Sequence, residues 1–520
     1  MFKKKLFLIF CMLLIALCCF ITAHADETGS LTENITYTFD YDSGDLRIVG
    51  SGSSPRVIPD YTSGLSSSNP SPFFSRSDIK RVFLTNISRI GSYTFTHCHN
   101  LNKIIYVDTK VTSIGEAAFA ECGFTSLQFP ANISDMGTMA FGYNNLLADI
   151  NFPTSLTYLP EKVLEGCGSL TTVKLPKNLT EIGKEAFHNC PGLESITIPE
   201  GVKTIGDCAF QGTGLVSVTL PKSLTVLGTK AFCICSELES ADLSSCTGLD
   251  KTGISAFENC LNLDDVSLPN GLRIVSSKCF YRCQNLSSVY LPGSVKYVNS
   301  EAFIGCVSLT YVDLGYSVTN IGESAFSSCT SLKNILIPES VLTIGDYAFS
   351  GCTSLVAVHL SSGISKIGNG AFANCSSLTA MQIPKSVTSL GTDVFSGTPR
   401  MCILCASGSA AASYADSKNY PHFALTEPDL TIPSSVKDIS AQAFEGTGAR
   451  VVSLSRNVRS IGYRAFANCD KLRAIYMTRS VTSISDSAFA DCTGPVVIMG
   501  DAGTYAQKYA LSHNLYFAPD

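Results

Sequence analysis

The chain contains no tryptophan, and only seven of its 520 residues are histidine. Without indole rings, a sugar-stacking platform would have to be built from tyrosine, which weakens a polysaccharide-binding reading. The shortage of histidine leaves few groups for acid–base work: beyond residue 25 there are only His97, His99, His188, His359, His422 and His513. HExxH, GxSxG and the phosphate-binding glycine loop are all missing, and the acidic residues are scattered singly, so no catalytic pair can be named and the chain reads as a non-enzyme with no cofactor. Charged residues make up 15% of the chain, 37 Lys+Arg against 43 Asp+Glu. That mildly acidic balance argues against nucleic acid or anionic lipid as partner.

Long apolar runs are also scarce. The one present, Leu6 to Ile21, follows Lys3, Lys4 and Lys5 and precedes Ala23-His24-Ala25, the pattern of a secretory signal cut before Asp26. Its removal takes Lys+Arg from 37 to 34 and the net charge from −6 to −9. No second run is long enough to span a bilayer, and the sequence ends without an LPxTG-like motif, so the expected location is secreted or held non-covalently at a cell surface. The style of the signal suits a Gram-positive bacterium.

What the sequence has in abundance is repetition. The pattern IGxxAFxxCxxLxxhxh, with h apolar, recurs with its Phe slot filled 17 times, from Phe95, Phe119 and Phe141 to Phe444, Phe466 and Phe489, mostly 23 residues apart. A period near 23 predicts one coil per unit, each unable to bury its own apolar face and stacked on its neighbours. Leu193 to Ile198 is expected to hold a short strand with Ile196 and Ile198 inward; Pro199 ends it, and Val202 to Ile205 follows as a second extended piece. Glycine fills the slot four before the Phe in 12 of the 17 units, which implies a left-handed or crowded backbone.

The IGxxAFxxC signature and its spacing resemble the BspA-like leucine-rich repeats of bacterial and protist surface proteins, over residues 81–495. The resemblance implies a repeat solenoid: a right-handed leucine-rich-repeat coil of short parallel β-strands, mostly β and irregular, with small helical caps. It also implies an extracellular, non-catalytic adhesion protein that binds a host or neighbouring-cell protein or glycan.

Domain boundaries follow from where the pattern starts and fails. After the signal at 1–25, residues 26–80 read as an N-terminal β cap, with strands around a turn at Asp42-Ser43-Gly44-Asp45 and a Ser/Pro-rich loop at 63–72. A first array of 14 units at 81–400 is followed by a cap at 401–425 with a short helix in 408–419. A second array of three units at 426–495 then ends in a similar cap at 496–520, with a helix in 504–513, and the two arrays are expected to join near Thr426–Pro428. Asp40, Asp42 and Asp45 hint at a calcium loop, but Ser51 stands where an EF-hand places its Glu.

Of the 22 cysteines, 19 lie beyond residue 25, and 13 of these occupy one repeat slot that elsewhere holds Asn144, Thr213, Thr398 or Thr447. A slot that accepts Cys, Asn and Thr asks for a compact hydrogen-bonding group, so a ladder of buried free thiols is expected in place of disulfides. Cys402 and Cys405 form a CxxC, yet positions three apart in a strand face opposite ways. His97-Cys98-His99 suggests metal at first sight, but Cys98 is a ladder cysteine and its flanks vary among coils, so no metal site is assigned.

The candidate binding residues come from comparing coils. Inward positions are nearly uniform, whereas the outward strand position runs Ile105, Gln128, Asn151, Lys174, Thr197, Thr219, Asp242, Ser267, Tyr290, Asp313, Leu336, His359, Gln382. Drift at solvent positions explains much of this variety. The section Tyr290, Asp313, Leu336, His359 and Gln382 nevertheless places an aromatic and an apolar side chain where solvent positions favour neither, which points to a recognition face.

Overall fold

A computed structural model describes residues 26–64, 68–108, 110–398, 401–424 and 429–519. The expected signal at 1–25 and the expected junction at Thr426–Pro428 lie outside the described residues. The chain forms two compact units, one ending at Pro199 and the other beginning at Glu200. Among the described residues no helix is long and apolar enough to cross a membrane.

The first unit opens with an antiparallel meander, Glu27–Thr32, Ile35–Asp40 and Asp45–Gly50, whose third strand pairs in parallel with Arg81–Thr85 and so hands the chain over to the repeats. The acidic turn between the last two meander strands serves the backbone: the Asp40 carboxylate accepts from the Asp42 and Ser43 amides and the Ser43 hydroxyl. Asp45 pairs instead with Arg81 and Arg47. Phe73, which the repeat pattern did not include, stacks on Phe95 at 5.5 Å and occupies the aromatic slot of one further coil.

Each coil contributes a strand of three or four residues, and equivalent strands pair in parallel: Ser126–Gln128, Asp149–Asn151 and Thr172–Lys174 in the first unit, Ser217–Thr219, Ser240–Asp242 and Asp265–Ser267 in the second. A second row of two-residue strands runs alongside; in the second unit it extends from Ile274–Val275 to Ser389–Leu390 over six strands. One expectation fails here. Residues 193–198 form no strand, although Leu193 and Ile198 are buried.

Opposite the strands, the Ala-Phe pair builds a second ladder without strands. The Phe amide donates to the residue before the next Phe, as in Phe303 to Ala325 and Phe326 to Ala348, both 2.8 Å. The rings stack almost parallel along the interior: Phe303 on Phe326 at 5.1 Å and 2°, Phe326 on Phe349 at 5.4 Å and 6°. The glycine four residues before the Phe is crowded, not left-handed: a Cβ at Gly345 would stand 2.6 Å from the carbonyl carbon of Gly322 one coil back. The left-handed residues sit two before and two after the Phe. At Lys230 (φ 57°) and Ile234 (φ 59°) the amides reach Ile254 O and Glu258 O of the next coil, each at 2.8 Å, which offsets the strain of a non-glycine residue there.

The ladder cysteines are free and mostly buried. Each thiol donates to the carbonyl of the Phe-slot residue one coil earlier, for example Cys283 to Phe257, Cys306 to Phe280 and Cys352 to Phe326, all at 3.2 Å. Thr398 makes the same bond to Phe372 and Asn144 to Phe119, which is why three residue types share the slot. Burial pushes the Cys190 and Cys375 thiols up to about 12.

The two helices are Ala410–Lys418, capped by the Ser409 hydroxyl on the Ala412 amide, and Tyr505–Ser512, capped by Thr504. Each follows a strand, Cys402–Leu404 or Val497–Gly500, and leads into another, His422–Phe423 or Tyr516–Ala518. Val452, Ile475, Ile498 and Phe517 point into the core of the last coils. Their outward neighbours Val451, Ala474, Val497, Met499 and Ala518 pack against Ala380, Cys402 and Leu404, so two outward sheet faces close on each other within the second unit. The Phe517 amide donates to Thr379 Oγ1 at 2.8 Å across this contact.

Candidate functional site

The outward strand column is placed by the ladder itself. Tyr290 stands beside Asp313, and Leu336 beside His359, in parallel register. Tyr290 is 62% exposed and Leu336 66%, while their inward neighbours Val289 and Ile335 are buried. Asp313 and Gln382 are exposed and His359 is half-buried. The first four line or adjoin one area; Gln382 stands apart, bordering a separate groove with Pro384, Lys385 and Leu404.

The structure adds two residues to this area. Strand alternation puts Tyr311 on the same face as Asp313, and its ring meets Tyr290 at 5.3 Å. Tyr316, 79% exposed, has the hydroxyl end of its ring against Gly293, where a Cβ would collide with it. Period-2 alternation could have found Tyr311 in the sequence; Tyr316 follows the strand, and only the missing side chain one period earlier marks its seat. Beside the tyrosines runs a groove of about 420 Å³ lined by Tyr311, Asp313, Asn334, Leu336 and His359. Asp313 Oδ1 is engaged by the Gly315 amide at 2.9 Å, which fixes the carboxylate at the groove's edge.

The outward face does not stay open along its whole length. Ala357 and Ala380, two residues before His359 and Gln382, are fully buried, and Ala380 lies under the last coils. Outward positions of earlier coils, such as Thr219 and Asp242, are exposed like Tyr290 and Leu336, so the cover is confined to the end of the array. Cys402 and Cys405, the CxxC pair, are both free and buried, and Cys402 belongs to the sealed contact.

Stacked coils with two rows of short parallel strands, a phenylalanine spine and a thiol ladder define a leucine-rich-repeat β-solenoid. The chain belongs to the BspA-type family: the family described as "BspA type Leucine rich repeat region" matches residues 69–194, 180–309, 273–402 and 423–514. Among solved structures it is similar to a leucine-rich repeat protein from Bacteroides ovatus ATCC 8483, with 28% identity and a TM-score of 0.51 over 72% of this chain and 99% of that one. It is also similar to a leucine rich cell surface protein from Faecalibacterium prausnitzii A2-165, with 24% identity and a TM-score of 0.39 over 76% and 98%. No curated protein matches the chain.

Proposed function

We propose that the protein is an extracellular, non-catalytic binding protein that holds a macromolecule of a host or neighbouring cell on the outward strand face between Tyr290 and His359. The observation that carries this reading is the exposed patch of Tyr290, Tyr311 and Leu336 beside a groove of about 420 Å³. On this face most other outward positions are polar, as at Thr219, Asp242 and Ser267, so the patch has no role in the coil core and fits a contact with another molecule.

The test is capture from arrays of matrix proteins and glycans, comparing the parent chain with a Tyr290→Ser/Leu336→Ser/His359→Ser variant. Truncating central anchors costs about 2 kcal/mol or more in an interface, on the order of thirtyfold in affinity, whereas surface changes move stability by only about 0.5 kcal/mol. Ile335→Ser should do the reverse, lowering stability because Ile335 is buried. A triple variant that binds as well as the parent would move the site elsewhere.

A polysaccharide is the second reading, supported by Tyr316. An exposed tyrosine ring held beside Gly293 can stack on a sugar even where tryptophan is missing. A parent chain that captures no glycan, or glycan capture unchanged by Tyr316→Gly, would sink it.

A further inference from the structure

We propose that His97, His99 and Glu121 form a zinc site on the first unit. The two histidines flank the ladder cysteine Cys98, whose thiol is turned inward to the Phe73 carbonyl at 3.0 Å and takes no part. Glu121 comes from the next coil, where it precedes the ladder cysteine Cys122. His97 and Glu121 occupy the same left-handed position, φ 62° and 57°, and the His97 amide bonds the Ala120 carbonyl at 2.9 Å. The ladder thus holds the two side chains over one another, with His97 Nδ1 2.9 Å from a Glu121 oxygen. The His99 ring stands edge to face with His97 at 5.8 Å.

One ligand atom from each residue lies within 4.8 Å of the others. A tetrahedral shell with bonds of about 2.1 Å sets its ligand atoms roughly 3.4 Å apart. The His97–Glu121 edge, at 2.9 Å, needs to open by about 0.5 Å to reach that length, and His99 is exposed, so rotation of its side chain can close the rest. Two imidazoles and one carboxylate suit zinc and leave a fourth position for water or an oxygen ligand. His99 also borders a polar groove of about 770 Å³ with Asn100, Lys103, Ser126 and Gln128, from which such a ligand could come.

Variation of the flanks of Cys98 among coils excludes a metal motif repeated along the ladder; it does not bear on a site confined to one pair of coils. A second cluster, Glu165, Glu185 and His188, also gathers ligand atoms. There Lys162 Nζ lies 2.9 Å from Glu185 and 3.4 Å from Glu165, so a cation is already built in. Among the described residues Glu121 has no ion pair besides His97.

The probe is zinc chloride titrated by calorimetry into the purified chain under reducing conditions, with cobalt(II) as a spectroscopic substitute. One ion per chain should bind, and the cobalt spectrum should lack thiolate charge-transfer bands. His97→Ala, His99→Ala and Glu121→Gln should each weaken binding by at least about tenfold, with far-UV melting curves like the parent's. Cys98→Ser and His188→Ala should bind zinc as the parent does. No binding by the parent, binding untouched in a His97→Ala/His99→Ala variant, thiolate bands with cobalt, or loss in His188→Ala would each overturn the assignment.

Discussion

Cys329 offers a clean test of what the thiol ladder contributes. Its side chain is fully buried and donates to the Phe303 carbonyl at 3.3 Å. The same carbonyl also accepts the Cys306 amide at 3.3 Å, so removing the thiol takes one of two partners and does not orphan the oxygen. The expected cost is therefore about 1 kcal/mol, within the range of a net hydrogen bond and below the penalty for an unsatisfied group. Threonine and valine have nearly the same shape and differ in the hydroxyl. At Thr398 the hydroxyl already makes this bond, to Phe372 at 3.2 Å. Cys329→Thr should leave the urea midpoint near that of the parent, and Cys329→Val should lie about 1 kcal/mol lower. Making the same change at Cys283, Cys329 and Cys375 places it in alternate coils that share no acceptor, since their partners are Phe257, Phe303 and Phe349. The three differences should then nearly add, to about 3 kcal/mol, provided the slope of the transition is unchanged. A triple valine variant as stable as the triple threonine variant would show that the slot selects for size and that the thiol bonds contribute nothing.

Two further predictions concern pH and the sealed sheet contact. Thiols such as Cys190 and Cys375 keep their protons to about pH 12 when folded, while an unfolded thiol releases its proton near pH 8.5, so the unfolded chain loses protons first as pH rises. The thiols' contribution is fully present below about pH 8.5 and is lost toward pH 12, at up to about 1.4 kcal/mol per pH unit for each such cysteine; urea midpoints that stay level between pH 8 and pH 10.5 would refute this. A protease site inserted between Ala424 and Asp429 should, once cut, yield fragments that co-elute under native conditions, because Ala380, Cys402 and Leu404 are buried against Val451, Ala474 and Val497. Ala474→Arg should let the fragments separate; fragments that separate without that change would show that the contact does not hold on its own.

What the sequence revealed and what it hid divide along a physical line. The Phe, Cys and Leu slots were legible because each has one role, repeated in almost every coil, and that role depends on the size and polarity of the side chain. The strained positions were not: Lys230, Ile234, Tyr347 and Glu301 all adopt positive φ, yet no residue type marks them. Their conformation is stabilised by amides bonding the next coil, a backbone property that leaves side-chain identity free. The glycine slot left a left-handed and a crowded backbone open, and there glycine answers to the neighbouring backbone and not to φ. The candidate binding face shows the same division. Tyr290 and Leu336 stand out as exceptions to a polar outward column, while Tyr316 and Glu121 gain their meaning only from what lies one coil away. The sealed contact, by contrast, does have a signal in the sequence. Outward strand positions of the middle coils carry Thr219, Asp242 and Ser267, but those of the last coils carry Val451, Ala474, Val497, Met499 and Ala518. A column that turns from polar to small and apolar is a face that expects cover. On a solenoid the same reasoning separates the two kinds of exception: small apolar residues in successive coils mark a face buried by the chain itself, and large isolated ones such as Tyr290 and Leu336 are where we propose that another molecule binds.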